Sequence, residues 1–331
     1  MRVKLKDVCE KATSKLKQSD ILSLGGKYPV FGASGYLGNM DSYHQDKPYI
    51  AVVKDGAGIG RTTILPPKSS VIGTMQYLIP KENVMPEYLY YVVKHMRLQK
   101  YYTGATIPHI YFKDYQNEEF NLADSIRQRE IVKVLKNVED TIRYQEIEIN
   151  KFDELIKARF IEMFGDPVSD TKNWGQTQLK EHLESIKYGT STPPIFTDNG
   201  YAFIRATNIK NGKIVTNDMK YIPQEEADRL EKCKLSGGEI IIVRSGVNAG
   251  DTCVVTDEYI GQYAGYDMIL VLSRDLHPVF FNTLINTEYM DKVVKPLTRR
   301  AAQPHLNSEQ TQRLPIIQVP FELQNQFADF V

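Results

Sequence analysis

Between residues 125 and 167, apolar residues recur at two positions of each seven-residue repeat, which is a heptad pattern. The positions of this seam are Ile131, Leu135, Val138, Ile142, Gln145, Ile149, Phe152, Ile156 and Met163. All but Gln145 are apolar, which predicts a long helix with one apolar face and a single polar register position. Asp124-Ser125 is a typical helix start, and Gly165-Asp166-Pro167 is a typical stop. About forty residues at 1.5 Å each give a rod of roughly 60 Å.

Shorter apolar runs on both sides of this helix are rich in β-branched and aromatic residues. The runs YIAVV, FIRA, EIIIV, TCVVT and MILVL predict strands. Two further segments, 85–102 and 277–294, have apolar residues at helical spacing and predict amphipathic helices. This mixture predicts an α+β fold in which two similar modules are separated by a long coiled-coil-like spacer helix.

The two predicted modules are related by an internal repeat. The segment YIAVVKDGAGIGRT matches EIIIVRSGVNAGDT, and TGATIPHI matches TRRAAQPHL further along each copy. After the second match, Gln128 in SIRQRE pairs with Gln324 in FELQNQ. Matches that recur in the same order indicate duplication of one module.

The repeat and the helix together predict four segments. These are a first module over 1–122, the spacer helix over 123–166, a second module over 167–318, and the start of a second helix over 319–331. A rod of this length can hold two modules more than one DNA turn apart, which is roughly 34 Å. Reading of a split DNA site uses such geometry, whereas a small-molecule enzyme has little need of it.

Composition narrows the function without deciding it. The chain has 331 residues, 42% of them hydrophobic and 25% charged, as in globular proteins with real cores. Lys+Arg and Asp+Glu are both 41, so net charge gives no argument for nucleic acid. The three cysteines are scattered and the N-terminal segment has no apolar signal-like run. We therefore expect a cytoplasmic protein without disulfides or a zinc site.

The glycines of KDGAGIG (54–60) raise the alternative of a nucleotide-dependent enzyme. The dinucleotide fingerprint is G-x-G-x-x-G opening a helix, whereas here the spacing is G-x-G-x-G and RTTILPP follows. The Pro-Pro pair cannot open a helix, and the second copy replaces the central glycine with Asn248. We interpret the segment as a repeated strand–turn element, with Lys54 or Arg244 at its edge. Calorimetry with NAD or ATP tests the alternative.

Motifs for catalysis are not found in the sequence. TPPIF (192–196) is the nearest approach to an adenine-methylase signature, but it lacks the leading amide, and we interpret it as a proline-rich loop. HExxH, GxSxG and the phosphate-binding GxxxxGK[ST] do not occur. The sequence predicts a non-catalytic protein with no cofactor of its own.

With these segments in view, the chain resembles the specificity subunit of type I restriction–modification enzymes. The resemblance covers essentially the whole length and is carried by FIRATNIKNGKI, GGEIIIVRSG, RRAAQPHLNSEQTQRLPIIQVPFELQNQF and the helix ending in KARFIEMFGDP. It implies that each module reads one half of a split sequence in double-stranded DNA. It also implies that methyltransferase subunits, which would bind S-adenosylmethionine, and a restriction subunit supply the chemistry.

The chain departs from this family at its C-terminal end. Family members usually carry a second long helix antiparallel to the first, whereas only its opening turns, VPFELQNQFADFV, are present here. A truncated or recombining specificity fragment is therefore an alternative interpretation. We expect a second fragment or a second copy of the chain to cover the unpaired seam.

Candidate DNA contacts are residues that can read base edges or hold phosphates. In the first module these are Lys54, Arg61, Thr106, His109, Tyr111 and Lys113. In the second module they are Arg205, Asn208, Lys210, Arg244, Ser245, Asn248, Arg299, Arg300 and Gln303. A structural turn is an equally good interpretation of His109 and its counterpart His305. Because the two sets share little, we predict an asymmetric bipartite target.

Overall fold

The computed structural model describes residues 1–21, 25–104, 107–298 and 304–331. Contacts within the chain divide it into two compact units, residues 1–146 and 147–331. Each unit contains both strands and helices. The predicted α+β fold class is therefore confirmed.

The first unit is built on three antiparallel or mixed sheets. Its strands are β1 (Arg2–Lys4), β2 (Cys9–Thr13), β3 (Tyr28–Gly32), β4 (Gly35–Met40), β5 (Tyr49–Val53), β6 (Thr62–Leu65), β7 (Ser70–Val71), β8 (Met75–Pro80) and β9 (Glu119–Asn121). They form sheets in the orders β2-β8-β5-β6, β4-β3-β7 and β1-β9. All pairs are antiparallel except β3 with β7, which is parallel.

The central strand of the first unit is buried on both faces. Every residue of β5 is buried, which explains its continuous apolar sequence YIAVV. The unit also contains the helices α1 (Leu5–Val8), α2 (Pro86–His95) and α3 (Phe112–Tyr115). The helix predicted over 85–102 ends at His95, because Arg97 adopts a left-handed conformation with φ of 51°.

Helix α4 (Ser125–Phe164) has the bounds that the capping signals predict. At its start, Asp124 Oδ1 accepts hydrogen bonds from the amides of Ile126 and Arg127 at 3.0 and 2.9 Å. At its end, Gly165 has a positive φ of 77° and its amide bonds back to Ile161. The prediction of one long helix is confirmed.

The seam of α4 is partly buried, and only near its two ends. Ile131 packs into the core of the first unit, and Ile156 packs into the core of the second. The positions between them are exposed, with side chains from 37% exposed at Leu135 to 63% at Phe152. An apolar stripe of this kind lacks a partner within the part of the chain that the structure describes.

The second unit repeats the strand arrangement of the first. Its strands are β10 (Gln176–Gln178), β11 (Leu183–Tyr188), β12 (Tyr201–Ile204), β13 (Ile209–Lys210), β14 (Lys213–Ile214), β15 (Lys220–Ile222), β16 (Ile240–Ile242), β17 (Thr252–Val254), β18 (Tyr263–Ala264), β19 (Met268–Leu272) and β20 (Pro315–Ile317). Its helices are α5 (Gln224–Arg229), α6 (Pro278–Ile285), α7 (Lys295–Thr298), α8 (Ser308–Gln312) and α9 (Phe321–Phe330).

Sheet orders show the duplication directly. The order β11-β19-β16-β17 corresponds to β2-β8-β5-β6, β15-β12-β18 corresponds to β4-β3-β7, and β10-β20 corresponds to β1-β9. The parallel pair recurs as well, with β12 beside β18. The second unit adds the hairpin β13-β14. The predicted repeat of one module is therefore present in the fold, and the strands predicted from FIRA, EIIIV, TCVVT and MILVL all form.

Candidate nucleic-acid interface

The glycine-rich segment after β5 is a closed turn held by its own backbone. The Gly60 amide donates to Val53 O at 2.8 Å, and the Val53 amide donates to Arg61 O at 2.9 Å. The Gly56 amide donates to Pro108 O at 2.9 Å, which attaches the Pro-His segment to the turn. Because these amides are already bonded to carbonyls of the chain, they are not directed at a phosphate.

The second unit contains the same turn with the corresponding backbone hydrogen bonds. Gly250 donates to Val243 O at 2.8 Å, and Gly246 donates to Pro304 O at 3.1 Å. The pattern persists although Asn248 replaces the central glycine, which confirms the repeated strand–turn element. The arrangement gives no support to a nucleotide cradle.

A charged cluster lies at the edge of the first turn. His109 Nδ1 lies 2.7 Å from Asp55 Oδ1, and Lys54 Nζ donates to Asp55 Oδ2 at 2.6 Å. Burial raises the pKa of Asp55, but hydrogen bonds from Lys54 and His109 outweigh it and hold that pKa below its usual value. The carboxylate therefore holds both side chains in place, and His109 is a structural element of the turn as well as a candidate contact.

Exposed aromatic and basic groups continue from His109. The rings of His109 and Tyr111 are stacked, with centroids 6.4 Å apart, and Lys113 Nζ lies 5.4 Å from the Tyr111 centroid. Tyr111 and Lys113 are both exposed. Arg61 is also exposed, but its Nη1 donates to Ala33 O at 2.9 Å. The structure thus brings Lys54, His109, Tyr111 and Lys113 together, and directs Arg61 toward a neighbouring loop.

The corresponding edge of the second unit carries different chemistry. Ser245 Oγ lies 2.7 Å from His305 Nδ1, where the first unit has a carboxylate. The Arg244 guanidinium lies 5.4 Å from the centroid of the Tyr188 ring, which is itself exposed. Arg244 and Ser245 are therefore adjacent at one edge, with Tyr188 supporting the arginine.

Asp267 is buried below this edge. Its Oδ1 accepts a hydrogen bond from the Arg244 amide at 3.0 Å, while Oδ2 has no hydrogen-bond partner among the described residues. Burial raises the pKa of Asp267 to about 6, and the Arg244 amide and charge only partly offset this. Asp267 thereby fixes the backbone of Arg244 at the end of β16.

The structure places Arg205 and Asn208 within the fold around β13-β14. Asn208 is fully buried; its amide donates to Val215 O and Asn217 O at 3.1 Å each. Arg205 is mostly buried and donates to Asp218 Oδ2 at 3.0 Å. Both side chains are hydrogen-bonded within the fold around β13-β14, and their contact with a base stays a prediction. Lys210 on the same hairpin is exposed.

Of the remaining candidates, one lies in the second turn and four lie outside the described residues. Asn248 is partly buried within the second turn, where its carbonyl accepts the amide of Asp251 at 2.9 Å. Thr106, Arg299, Arg300 and Gln303 lie outside the described residues. The predictions for these four stay predictions.

Sequence reasoning missed three residues that shape these edges: Asp55, Tyr188 and Asp267. The sequence contains a local signal for Asp55, since this acidic residue directly follows the basic Lys54. Tyr188 and Asp267 had none, because they reach Arg244 from other segments of the chain, Tyr188 from β11 and Asp267 from just before β19.

Over residues 1–21, 25–104, 107–298 and 304–331, no group of three or more His, Cys, Asp or Glu residues is arranged to hold a metal ion. Across the same residues, no helix is both long and apolar enough to cross a membrane. Cys9, Cys233 and Cys253 are buried free thiols, and burial raises the pKa of Cys9 and of Cys253 to about 12.

Comparison with known proteins gives concordant matches. Residues 1–152 match the family described as type I restriction modification DNA specificity domain. The type I restriction enzyme MjaVIII specificity subunit of Methanocaldococcus jannaschii is 23% identical over 281 residues, covering 78% of this chain and 65% of that protein. The chain thus spans 65%, slightly less than two thirds, of the length of that relative.

A solved structure shows the same fold. It is the type I restriction-modification system S subunit from M. genitalium, with a TM-score of 0.60 at 15% sequence identity. The match covers 99% of this chain and 87% of that one. The architecture of two modules and a long helix is therefore that of a known fold.

Proposed function

We propose, from the premise that this chain belongs to the family of type I restriction–modification specificity subunits, that it recognises a bipartite, asymmetric sequence in double-stranded DNA. Each unit would read one half of the target. In this role the chain performs no catalysis of its own; it directs an adenine methyltransferase subunit, which binds S-adenosylmethionine, and a restriction subunit.

One observation carries the proposal: the two units present different side chains on the same backbone turn. Asp55 of the first turn is replaced by Ser245 in the second, and Arg61 is replaced by Asp251. The backbone hydrogen bonds of the two turns nevertheless coincide. A shared frame with different donors and acceptors suits recognition of two different base sequences.

The side chains at each edge suit DNA for a physical reason. Lys113 supplies a positive charge for phosphate, and Tyr111 supplies a flat exposed surface beside it. Arg244 offers a guanidinium that can pair with guanine in the major groove. With 41 basic and 41 acidic residues the whole chain is neutral, so binding depends on these local groups. We expect weak binding by the isolated chain and stronger binding with the methyltransferase.

The exposed middle of the α4 seam supports a second proposal about assembly. Apolar side chains at Val138, Ile142, Ile149 and Phe152 are half exposed or more. We propose that a second specificity fragment, or a second copy of this chain, covers them with its own helix. Gln145, exposed at the one polar position of the seam, would fix the register of that pair.

The decisive experiment uses the chain co-expressed with a methyltransferase subunit. We expect the two to co-purify, to shift duplex DNA and to methylate adenine within an asymmetric split motif that methylome sequencing reveals. Lys113→Ala should weaken DNA binding and reduce its salt dependence by about one phosphate contact, with Lys133→Ala on exposed α4 as the control. Absence of both co-purification and a DNA shift would refute the proposal. A palindromic motif would refute the asymmetric target alone.

A further inference from the structure

The turn between β16 and β17 forms the tip of a two-stranded ribbon. The two strands pair in antiparallel register up to Ile242 and Thr252. At the tip, the Ala249 amide donates to Gly246 O at 3.1 Å, which closes a β-turn with Val247 as its second residue. Val247 thus occupies the outer end of the ribbon, on a backbone that is fixed by hydrogen bonds.

The stability of the fold does not explain a valine at this position. Val247 is 96% exposed, so almost none of its apolar surface is removed from water when the chain folds. Glycine, proline, asparagine, aspartate and serine are the usual residues of such turns, because they suit the backbone there. The valine side chain gains free energy when another molecule covers it.

The corresponding turn of the first unit has the same character at its tip. There the Ile59 amide donates to Gly56 O at 3.3 Å, and Ala57 is the second residue of the β-turn. Ala57 is also exposed. Both copies of the module therefore present an apolar side chain at the tip of the ribbon, smaller in the first unit than in the second.

Arg244, at the base of the second turn, is held on three sides. Its amide donates to Asp267 Oδ1 at 3.0 Å, its carbonyl accepts from the Leu306 amide at 2.8 Å, and its guanidinium lies 5.4 Å from the Tyr188 ring centroid. A guanidinium fixed in this way can pair with O6 and N7 of guanine, which both face the major groove. A turn that uses Arg244 for this purpose also brings its tip to the base edges of that groove.

The major groove has room for this element and contains an apolar group for its tip. The groove is about 12 Å wide and admits a two-stranded ribbon. Thymine differs from the other bases in placing a methyl group there, and small apolar side chains recognise that methyl group by contact. Val247 has the chemistry and the position for such a contact.

We propose that Val247 contacts the 5-methyl group of a thymine in the half-site that the second unit reads. The inference rests on the proposed function and deepens it, because it names one base of the target and the group on that base that is recognised. Val247 is then a specificity-determining residue. Covering one methyl group favours thymine over uracil by about fourfold.

The test uses the complex of the chain with its methyltransferase subunit, and duplexes of the target that methylome sequencing reveals. Each thymine of the two half-sites, on either strand, is replaced in turn by deoxyuridine, which removes the methyl group and keeps the base pair. Fluorescence anisotropy measures binding. We expect one replacement to weaken binding of the wild-type complex about fourfold and to leave binding of Val247→Ser unchanged. Such coupling between a side chain and a methyl group indicates direct contact.

Ile260→Ser is the matched control, because Ile260 is a half-exposed apolar residue of the second unit that lies outside the turn. This variant should keep the wild-type sensitivity to deoxyuridine. Thermal unfolding of Val247→Ser should match wild type, since substitutions at exposed positions change stability little.

The outcomes separate this inference from the proposed function. A complex that binds and methylates its target but tolerates deoxyuridine at every position would overturn the inference alone. Equal sensitivity in wild type and Val247→Ser would do the same, because another residue would then recognise the methyl group. Loss of methyltransferase co-purification in Val247→Ser would make Val247 a protein contact and also overturns it. A wild-type complex that neither binds nor methylates DNA would refute the proposed function, and this inference with it.

Discussion

The imidazole Nδ1 of His109 lies 2.7 Å from Oδ1 of Asp55, while Lys54 holds the other carboxylate oxygen. Through this contact, the second residue after β5 is joined to a Pro-His segment more than fifty positions later in the chain. The side-chain bond reinforces backbone bonds between Asp55 and His109 neighbours, including that of the Ile110 amide to Lys54 O at 2.9 Å. The edge of the first unit is thus fixed before any ligand arrives.

Asp55→Asn should lower the free energy of unfolding by about 1 kcal/mol at pH 7. Because the folded pKa of Asp55 lies below its usual value, its stabilisation is present above the unfolded pKa of about 3.9 and is lost as pH falls through the folded pKa. Urea denaturation at pH values from about 3 to about 7 should show that the difference in unfolding free energy between Asp55→Asn and wild type shrinks below about pH 4. Asp46→Asn, at an exposed position, is the control. A difference independent of pH would contradict the role of the carboxylate.

Gln128→Leu and Gln324→Leu should each destabilise the chain by about 3 kcal/mol, since three backbone groups lose a buried partner. The two amides are 1% and 2% exposed, and each bonds one backbone amide and two carbonyls. Denaturant unfolding measures the loss. Gln145→Leu and Gln326→Leu are matched controls at exposed positions and should change stability little. Similar effects in all four variants would argue against the shared hydrogen-bond pattern.

Gly60→Ala should destabilise the first turn more than Gly56→Ala. Both glycines have positive φ, 77° and 85°, so any Cβ is strained there by roughly 1–2 kcal/mol. At Gly60 the new Cβ would also lie 2.5 Å from the backbone nitrogen of Gln99, whereas at Gly56 it meets open space. Thermal unfolding should rank the two variants in that order. The reverse order would show that the backbone at Gly60 can move away from Gln99.

Sedimentation at increasing concentration tests coverage of the α4 seam. We expect self-association of the isolated chain, because a stripe of exposed apolar residues gains free energy when it is buried. Ile142→Glu should shift the equilibrium toward monomer by at least tenfold, while Lys136→Glu, also exposed on α4, should not. A chain that stays monomeric and captures no second fragment would refute the assembly proposal.

The elements that sequence predicted best depend on local information. The spacer helix follows from a heptad pattern and two end signals, and the structure places it at Ser125–Phe164. The strand–turn element followed from comparison of two copies, because a turn that survives loss of its central glycine cannot depend on that glycine. Both inferences use residues that are close in the chain.

The structural roles of Arg205 and Asn208 depend on how the chain folds back around β13-β14, which residue type alone does not show. Residue type made Arg205 and Asn208 plausible readers of bases, yet the chain folds back and places Asp218 and the carbonyls of Val215 and Asn217 against them. The spacing of these residues in the sequence does not predict these contacts. Periodicity placed Ile131 and Ile156 on the seam, and tertiary packing leaves them partly buried against the cores of the two units, which periodicity alone does not show.

The two glycine turns are held by the same main-chain hydrogen bonds, although the side chains on their rims differ between the two units. Positions such as Asp55 and Ser245 can therefore diverge while the backbone stays in place. A module of this kind is robust to replacement at its rim, so duplication leaves each copy free to acquire its own chemistry. New recognition properties would then arise by a few substitutions, without any new architecture.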